Sequence, residues 1–160
     1  MNRKFLAALV AGAVGLFAAP AAQAASATHH FYAEPGSYLT IVDDEWGDDV
    51  VEKFELSNLY LGNFSGVTNS TTLTFSRCAG GEVKVVVHLL MSNWNTTYTT
   101  VRYWLDLYEG ITCATNDWDG WYQSGLRQVG MPFENFSVKN IEEGGDSAVL
   151  HIKLREKVTI

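Results

Sequence analysis

Apolar and polar residues alternate along much of this chain after residue 37, with the two-residue period of β-strands. Residues 83–108 contain two apolar runs on either side of the polar stretch 92–97, which predicts a central β-hairpin. Residues 51–61 alternate less regularly, so a strand is predicted there with a short helix over 49–56 as the alternative. Further strands are predicted at residues 38–42, 71–77, 133–139 and 147–157.

The register of the central hairpin follows from its side chains. Pairing Val85 with Leu105 makes one face wholly apolar and sets Lys84 against Asp106, an opposite-charge cross-strand pair. In this register His88 faces Arg102 on the outer surface. A shift by one residue would bury Asp106, so it is disfavoured.

About eight short strands separated by glycine-containing turns predict a single-domain antiparallel β-sandwich, of the jelly-roll or immunoglobulin-like kind. A small β-barrel is the rival architecture.

The first 24 residues have the pattern of a cleaved secretory signal peptide. Arg3 and Lys4 precede an apolar run over 5–19, and the sequence Ala-Gln-Ala at 22–24 is a small-x-small cleavage site. A second such site ends at Ala27. The apolar run is too short for a spanning helix. The pattern predicts a secreted or periplasmic protein with no membrane insertion, whose mature part, residues 25–160, is one domain.

Without Arg3 and Lys4, nine basic residues face 18 acidic ones, a net charge of −9. A protein that binds a phosphate backbone needs a basic patch, and this sequence has none. Nucleic acid and anionic membranes are therefore not expected as partners. Residues 26–36 are predicted to be an extended lead-in, in which His29 and His30 belong to a polar tail.

The two cysteines, Cys78 and Cys113, lie just outside the central hairpin. In the preferred register they miss each other by one residue, and a bulge at Gly110 would bring them opposite. Two cysteines in an exported chain predict a disulfide, which would close a loop of about 34 residues and stabilise the fold by about 3–4 kcal/mol. Two buried free thiols are the alternative.

Five carboxylates within seven residues form an acidic loop that consists of Asp43, Asp44, Glu45, Asp48 and Asp49. Such a cluster needs solvent or a cation to offset its repulsion, and calcium prefers several oxygen ligands. The loop is therefore a candidate calcium site, although its spacing is not that of an EF-hand. The alternative is a solvated acidic turn.

A second candidate site is the aromatic segment with Trp118, Trp121 and Tyr122, next to Asp117 and Asp119. Such rings can form a platform that stacks on sugars, with the carboxylates as hydrogen-bonding groups. The alternative is that the rings cap the open end of the sandwich, and this is favoured because tryptophan usually buries most of its surface.

No common catalytic motif occurs in the sequence. His88 beside Arg102 and Trp104 is a candidate polar site on the outer face of the hairpin, and the favoured alternative is a partly covered strand residue. The sequence therefore predicts a non-enzymatic binding module for a glycan or a surface partner, with calcium as a candidate stabilising cofactor. The alternative is a secreted structural or interaction protein, such as an adhesin-like domain, an assembly subunit or an inhibitor. A small secreted hydrolase ranks last.

Overall fold

The computed structural model describes residues 27–44, 48–66, 70–93, 98–142 and 145–160. Within these residues all regular structure is β-strand, which confirms the predicted all-β class. The strands are β1 Thr28–Ala33, β2 Tyr38–Asp43, β3 Val50–Glu55, β4 Tyr60–Ser65, β5 Ser70–Ala79, β6 Val83–Asn93, β7 Thr99–Tyr108, β8 Trp118–Gln123, β9 Arg127–Gln128, β10 Glu134–Lys139, β11 Ser147–Ile152 and β12 Leu154–Thr159.

The strands form three antiparallel sheets. The five-stranded sheet has the order β5-β6-β7-β8, with β9 also paired to β7. The four-stranded sheet has the order β10-β11-β2-β3, and the three-stranded sheet has the order β12-β1-β4. The sheets are open rather than closed on themselves, so the arrangement is that of a β-sandwich and the barrel alternative is wrong.

The chain passes three times between the four-stranded and three-stranded sheets, and two sequence predictions are wrong for this reason. Residues 51–61 are not one strand, nor a helix, because a turn with Asn58 at a φ of 60° separates β3 from β4. Residues 147–157 are likewise split at Lys153, where β11 ends in one sheet and β12 begins in the other. The strands before and after each bend face the same core, so apolar and polar residues keep alternating through the bend. The sequence pattern therefore does not reveal where one strand ends and the next begins.

The apolar core lies on the inner faces of the sheets and forms one cluster. In β6 every second residue is buried, and the outward residues between them are partly exposed. Apolar side chains of all three sheets contribute, including Phe31, Leu39, Leu105 and Leu150. Full burial of such a side chain is worth about 1.5–3 kcal/mol, so this cluster is the main source of stability.

The central hairpin forms with the predicted faces but in a different register. Val85 pairs with Leu107 and Lys84 with Tyr108, a shift of two residues from the prediction. The predicted pairing of His88 with Arg102 is likewise wrong, since His88 lies opposite Trp104. A two-residue shift leaves the apolar face intact, so the hydrophobic pattern does not distinguish the two registers.

The segment predicted as a polar lead-in is strand β1, paired on both sides by β12 and β4. Its Phe31 is fully buried, and the ring of His29 stacks on Phe64 with centroids 5.2 Å apart. His29 Nδ1 also forms a short contact with the carboxylate of Glu156. The prediction of a polar tail is therefore wrong from Thr28 onwards.

The disulfide between Cys78 and Cys113 is confirmed, with Cα atoms 5.9 Å apart, inside the usual range for such bridges. It ties β5 to the loop that follows β7. The proposed bulge at Gly110 is wrong, because β7 ends at Tyr108 and Gly110 and Cys113 both lie in that loop.

Candidate functional site

A β-bulge in β8 places two tryptophans on the same outer face. Leu107 pairs with Gly120 and Tyr108 pairs with Trp118, so Asp119 is an extra residue on β8. Residues 118 and 121 would point to opposite faces of a regular strand, since their spacing is odd. The extra residue changes the alternation by one position, so both Trp118 and Trp121 point outwards.

Gly120 allows the bulged strand to lie against the neighbouring sheet. A Cβ at Gly120 would overlap the backbone carbonyl oxygen of Lys139, at the end of β10. The backbone of Ile141 also donates a hydrogen bond to the carbonyl of Asp119 at 2.8 Å. The bulge is therefore held from behind by the four-stranded sheet, while its tryptophans face solvent.

The outward tryptophans border an open depression of about 340 Å³, the aromatic cleft, which is lined by Trp104, Asp106, Trp118, Trp121 and Gln123. Trp104 is 38% exposed, Trp118 is 41% exposed and Trp121 is 56% exposed. The expectation that Trp118 and Trp121 cap the core is therefore wrong. The cleft is large enough for one or two small rings, near the lower end of the usual size of ligand pockets.

Asp106 fixes the floor of the aromatic cleft. It is 8% exposed, and its carboxylate accepts hydrogen bonds from Nε1 of Trp104 at 2.7 Å and Nε1 of Trp118 at 3.3 Å. Nε2 of His88 lies 3.1 Å from the same carboxylate. Because one buried acid holds both indoles, the two rings are set in position before any ligand arrives.

His88 continues this network across the sheet. Its ring stacks on Trp104 with centroids 4.3 Å apart, and its Nδ1 lies 3.2 Å from the hydroxyl of Thr74. Hydroxyl, imidazole and carboxylate thus follow one another in the order of a hydrolase triad. Asp106 also accepts the N–H groups of two indoles, so the network links Thr74 and His88 to the support of the cleft.

The charged residue that lines the cleft is the acid Asp106. The pKa of Tyr108 is raised above its ordinary value, first by partial burial and then by the negative charge of Asp106. The ammonium of Lys84 lies 4.6 Å from the ring of Tyr108 and contacts the carbonyl of Thr115. Lys84 is therefore engaged beside the cleft rather than lining it.

The two carboxylates predicted to act with the tryptophans lie elsewhere. Asp117 and Asp119 border a separate acidic pocket of about 130 Å³, together with Glu109, Gly110 and Glu142. Oδ2 of Asp119 accepts the backbone N–H of Glu109 at 2.7 Å, so this carboxylate stabilises the bulge. The bulge separates Asp119 from the tryptophans. The same extra residue that places Trp118 and Trp121 on one face turns the side chain of Asp119 away from that face.

Tyr122 points the other way from its tryptophan neighbours. Its ring packs against the core and lies 5.9 Å from Phe136, between ring centroids. Tyr122 supports β8 and does not line the cleft. Of the three rings predicted to cap the core, Tyr122 is the one that covers it.

The acidic loop is spread over several environments. Asp43 is 4% exposed and packs against Gly80, whereas Asp44, Asp48 and Asp49 are exposed. Glu45 lies outside the described residues. Over the described part of the chain, no three His, Cys, Asp or Glu side chains are grouped so that they could hold a metal ion. Calcium binding by the acidic loop stays a prediction.

Sequence reasoning missed three residues of the cleft, Trp104, Asp106 and Gln123, as members of the same site as Trp118 and Trp121. The sequence pattern pairs Asp106 with Lys84 and places Trp104 beside His88. The available signal was the shared outward parity of Trp104 and Asp106 on β7. Their distance from Trp118 along the chain concealed the site, because the pairing of β7 with β8 was not predicted.

No protein-family model, curated protein or solved structure matches this chain. Among the described residues there is no helix with the length and apolar character of a membrane span. The disulfide is compatible with an extracellular or periplasmic location. The predicted signal peptide lies outside the described residues.

Proposed function

We propose that this chain is an exported, non-enzymatic glycan-binding module whose aromatic cleft stacks on sugar rings. The observation that carries the proposal is the set of three solvent-exposed tryptophans on one sheet face, two of them fixed by hydrogen bonds to Asp106. Large exposed aromatic surfaces are costly in water and commonly mark a binding surface. The apolar face of a sugar ring covers them without having to lose its hydroxyl hydration.

Gln123 gives this cleft a polar group beside its rings. Its amide can donate and accept hydrogen bonds, and a sugar hydroxyl requires both functions. Rings that provide contact area, together with a few polar groups that orient the ligand, are the usual composition of a small-molecule site. Export, proposed from residues 1–24, would place the cleft where glycans of cell surfaces and matrices are met.

Isothermal titration calorimetry of the mature, oxidised protein with soluble neutral oligosaccharides tests the proposal. We expect saturable binding to at least one of them. Trp121→Ala should weaken that binding about tenfold, because loss of an aromatic contact costs on the order of 1 kcal/mol or more.

Tyr60→Ala is the matched control, since Tyr60 is a similarly exposed aromatic residue on β4, in another sheet. It should bind as the parent protein does. Absence of binding to every oligosaccharide would overturn the proposal and favour an interaction protein that uses the same aromatic face. Equal losses in both variants would show that the cleft is not the site.

A further inference from the structure

Asp106 is 8% exposed, and its carboxylate lies at the base of the aromatic cleft. Its indole partners, Trp104 and Trp118, are uncharged donors that orient the carboxylate, and its third partner, Nε2 of His88 at 3.1 Å, balances its charge only when the imidazole is protonated. Partial burial raises the pKa of Tyr108, and the negative charge of Asp106 raises it further. The indoles turn their N–H edges to Asp106, and His88 covers one face of Trp104, so the other ring surfaces that border the cleft are left for a ligand.

The surroundings of the cleft add to this negative field. The acidic pocket begins at Glu109, three residues beyond Asp106, and includes Asp117, the residue before Trp118. Two cations lie on the same outer face of β6 and β7, Lys84 and Arg102, and neither lines the cleft. Lys84 is already engaged with Tyr108 and Thr115.

A cation placed over a tryptophan face is attracted by the ring quadrupole, by up to about 2 kcal/mol where water is excluded. A carboxylate at the N–H edges of the rings adds a Coulomb attraction that a neutral ligand does not receive. A ligand that combines a pyranose ring with an ammonium group would use both the ring faces and the charge of this cleft.

We infer that the aromatic cleft selects sugars with a free, protonated amino group, such as β-1,4-linked glucosamine, over the same sugars in N-acetylated form. This inference rests on the proposed function and names its ligand class. An acetyl group removes the charge and leaves the ring and the linkage unchanged, so the two forms isolate the effect of charge.

The experiment compares the glucosamine tetrasaccharide with the N,N′,N″,N‴-tetraacetylated tetrasaccharide by isothermal titration calorimetry at about pH 7, below the usual pKa of an amine and above that of an imidazole. We expect the free amine to bind at least about fivefold more tightly at low ionic strength. The preference should shrink in added salt, which screens the partly exposed charges.

Variants separate charge from shape. Asp106→Asn should abolish the preference, and its near-ultraviolet circular dichroism and thermal midpoint report whether the indoles stay in place. Asp117→Asn, an exposed residue of the acidic pocket, should reduce the preference about twofold without a change of fold. Loss of Asp106 packing alone would instead weaken both tetrasaccharides equally.

The possible outcomes distinguish the two proposals. Equal or tighter binding of the acetylated form would overturn the selection of amines and would support glycan binding. Binding of neutral oligosaccharides with neither tetrasaccharide bound would also overturn the selection of amines. No binding of any saccharide would overturn both proposals.

Discussion

The carboxylate of Asp106 accepts a hydrogen bond from the indole of Trp104 at 2.7 Å, between residues two apart on the same face of β7. The same carboxylate reaches Trp118 on the neighbouring strand and His88 on the other. Three strands of the five-stranded sheet thus converge on one buried acid, and the aromatic cleft depends on it.

Replacement of that acid tests how far it organises the cleft. Asp106→Ala should lower the free energy of unfolding by about 1–3 kcal/mol, because His88 and two indoles lose a shared acceptor. Near-ultraviolet circular dichroism should weaken as the indoles gain freedom. Asp117→Ala, an exposed acid, is the control and should stay within about 0.5 kcal/mol of the parent in urea unfolding.

The bulge of β8 depends on the absence of a side chain at Gly120. Gly120→Ala should cost about 1–3 kcal/mol, since the new Cβ would overlap the carbonyl of Lys139, which is backbone and cannot rotate away. Gly125→Ala is the matched control, because its Cβ would meet only the end of the Arg127 side chain, at 3.2 Å. Equal stability of both variants in denaturant would show that β8 and β10 are not tightly packed.

The disulfide between Cys78 and Cys113 spans 35 residues of sequence and restricts the unfolded chain. The double variant Cys78→Ser, Cys113→Ser should lose about 3–4 kcal/mol of unfolding free energy in the chain-entropy model. Urea unfolding of the oxidised and reduced parent protein provides the comparison, and intact mass reports the thiol state. An unchanged unfolding midpoint on reduction would contradict the predicted contribution.

Tyr103 should make stability fall at high pH. Burial raises the pKa of Tyr103 above its ordinary value, with a further increase from Glu134 that exceeds the opposing effect of Arg127. An unfolded tyrosine loses its proton near pH 10, so above that pH the unfolded state is ionised while the folded state stays neutral. Stability is complete below about pH 10 and falls by about 1.4 kcal/mol per pH unit above it.

Urea unfolding between about pH 9 and 11 measures that slope, and Tyr103→Phe should reduce it, leaving the part that comes from Tyr108, whose pKa is also raised. Tyr98→Phe is the control, because it removes the phenolic hydroxyl from an exposed tyrosine. A slope that is undiminished in the Tyr103 variant would assign the alkaline loss to another group.

The calcium hypothesis predicts a higher thermal midpoint in millimolar calcium than in EDTA. At 100 times its dissociation constant a ligand adds about 2.7 kcal/mol, which is a shift of several degrees for a domain of this size. Asp48→Asn with Asp49→Asn should remove the shift, and Asp117→Asn, outside the acidic loop, should retain it. An unchanged midpoint in the parent protein would leave the loop as a solvated turn.

The sequence by itself determined the fold class, the faces of the strands and the disulfide. Alternation in β6 and β7 indicates which residues are buried, because burial repeats with the two-residue period of a strand. Cys78 and Cys113 were the only available pair, so no choice of connectivity arose. Each of these properties depends on local pattern or on counting.

Only the tertiary structure decided the register, the passage of strands between sheets and the cleft. A register shift of two residues preserves every face, so the pairing of Val85 with Leu107 cannot be read from alternation. The passage from β11 to β12 at Lys153 does not interrupt the alternation of apolar and polar residues, since both strands face one core. Trp104 and Trp118 share a site because β8 pairs with β7 and carries one extra residue, and such long-range pairing depends on packing that no single segment encodes.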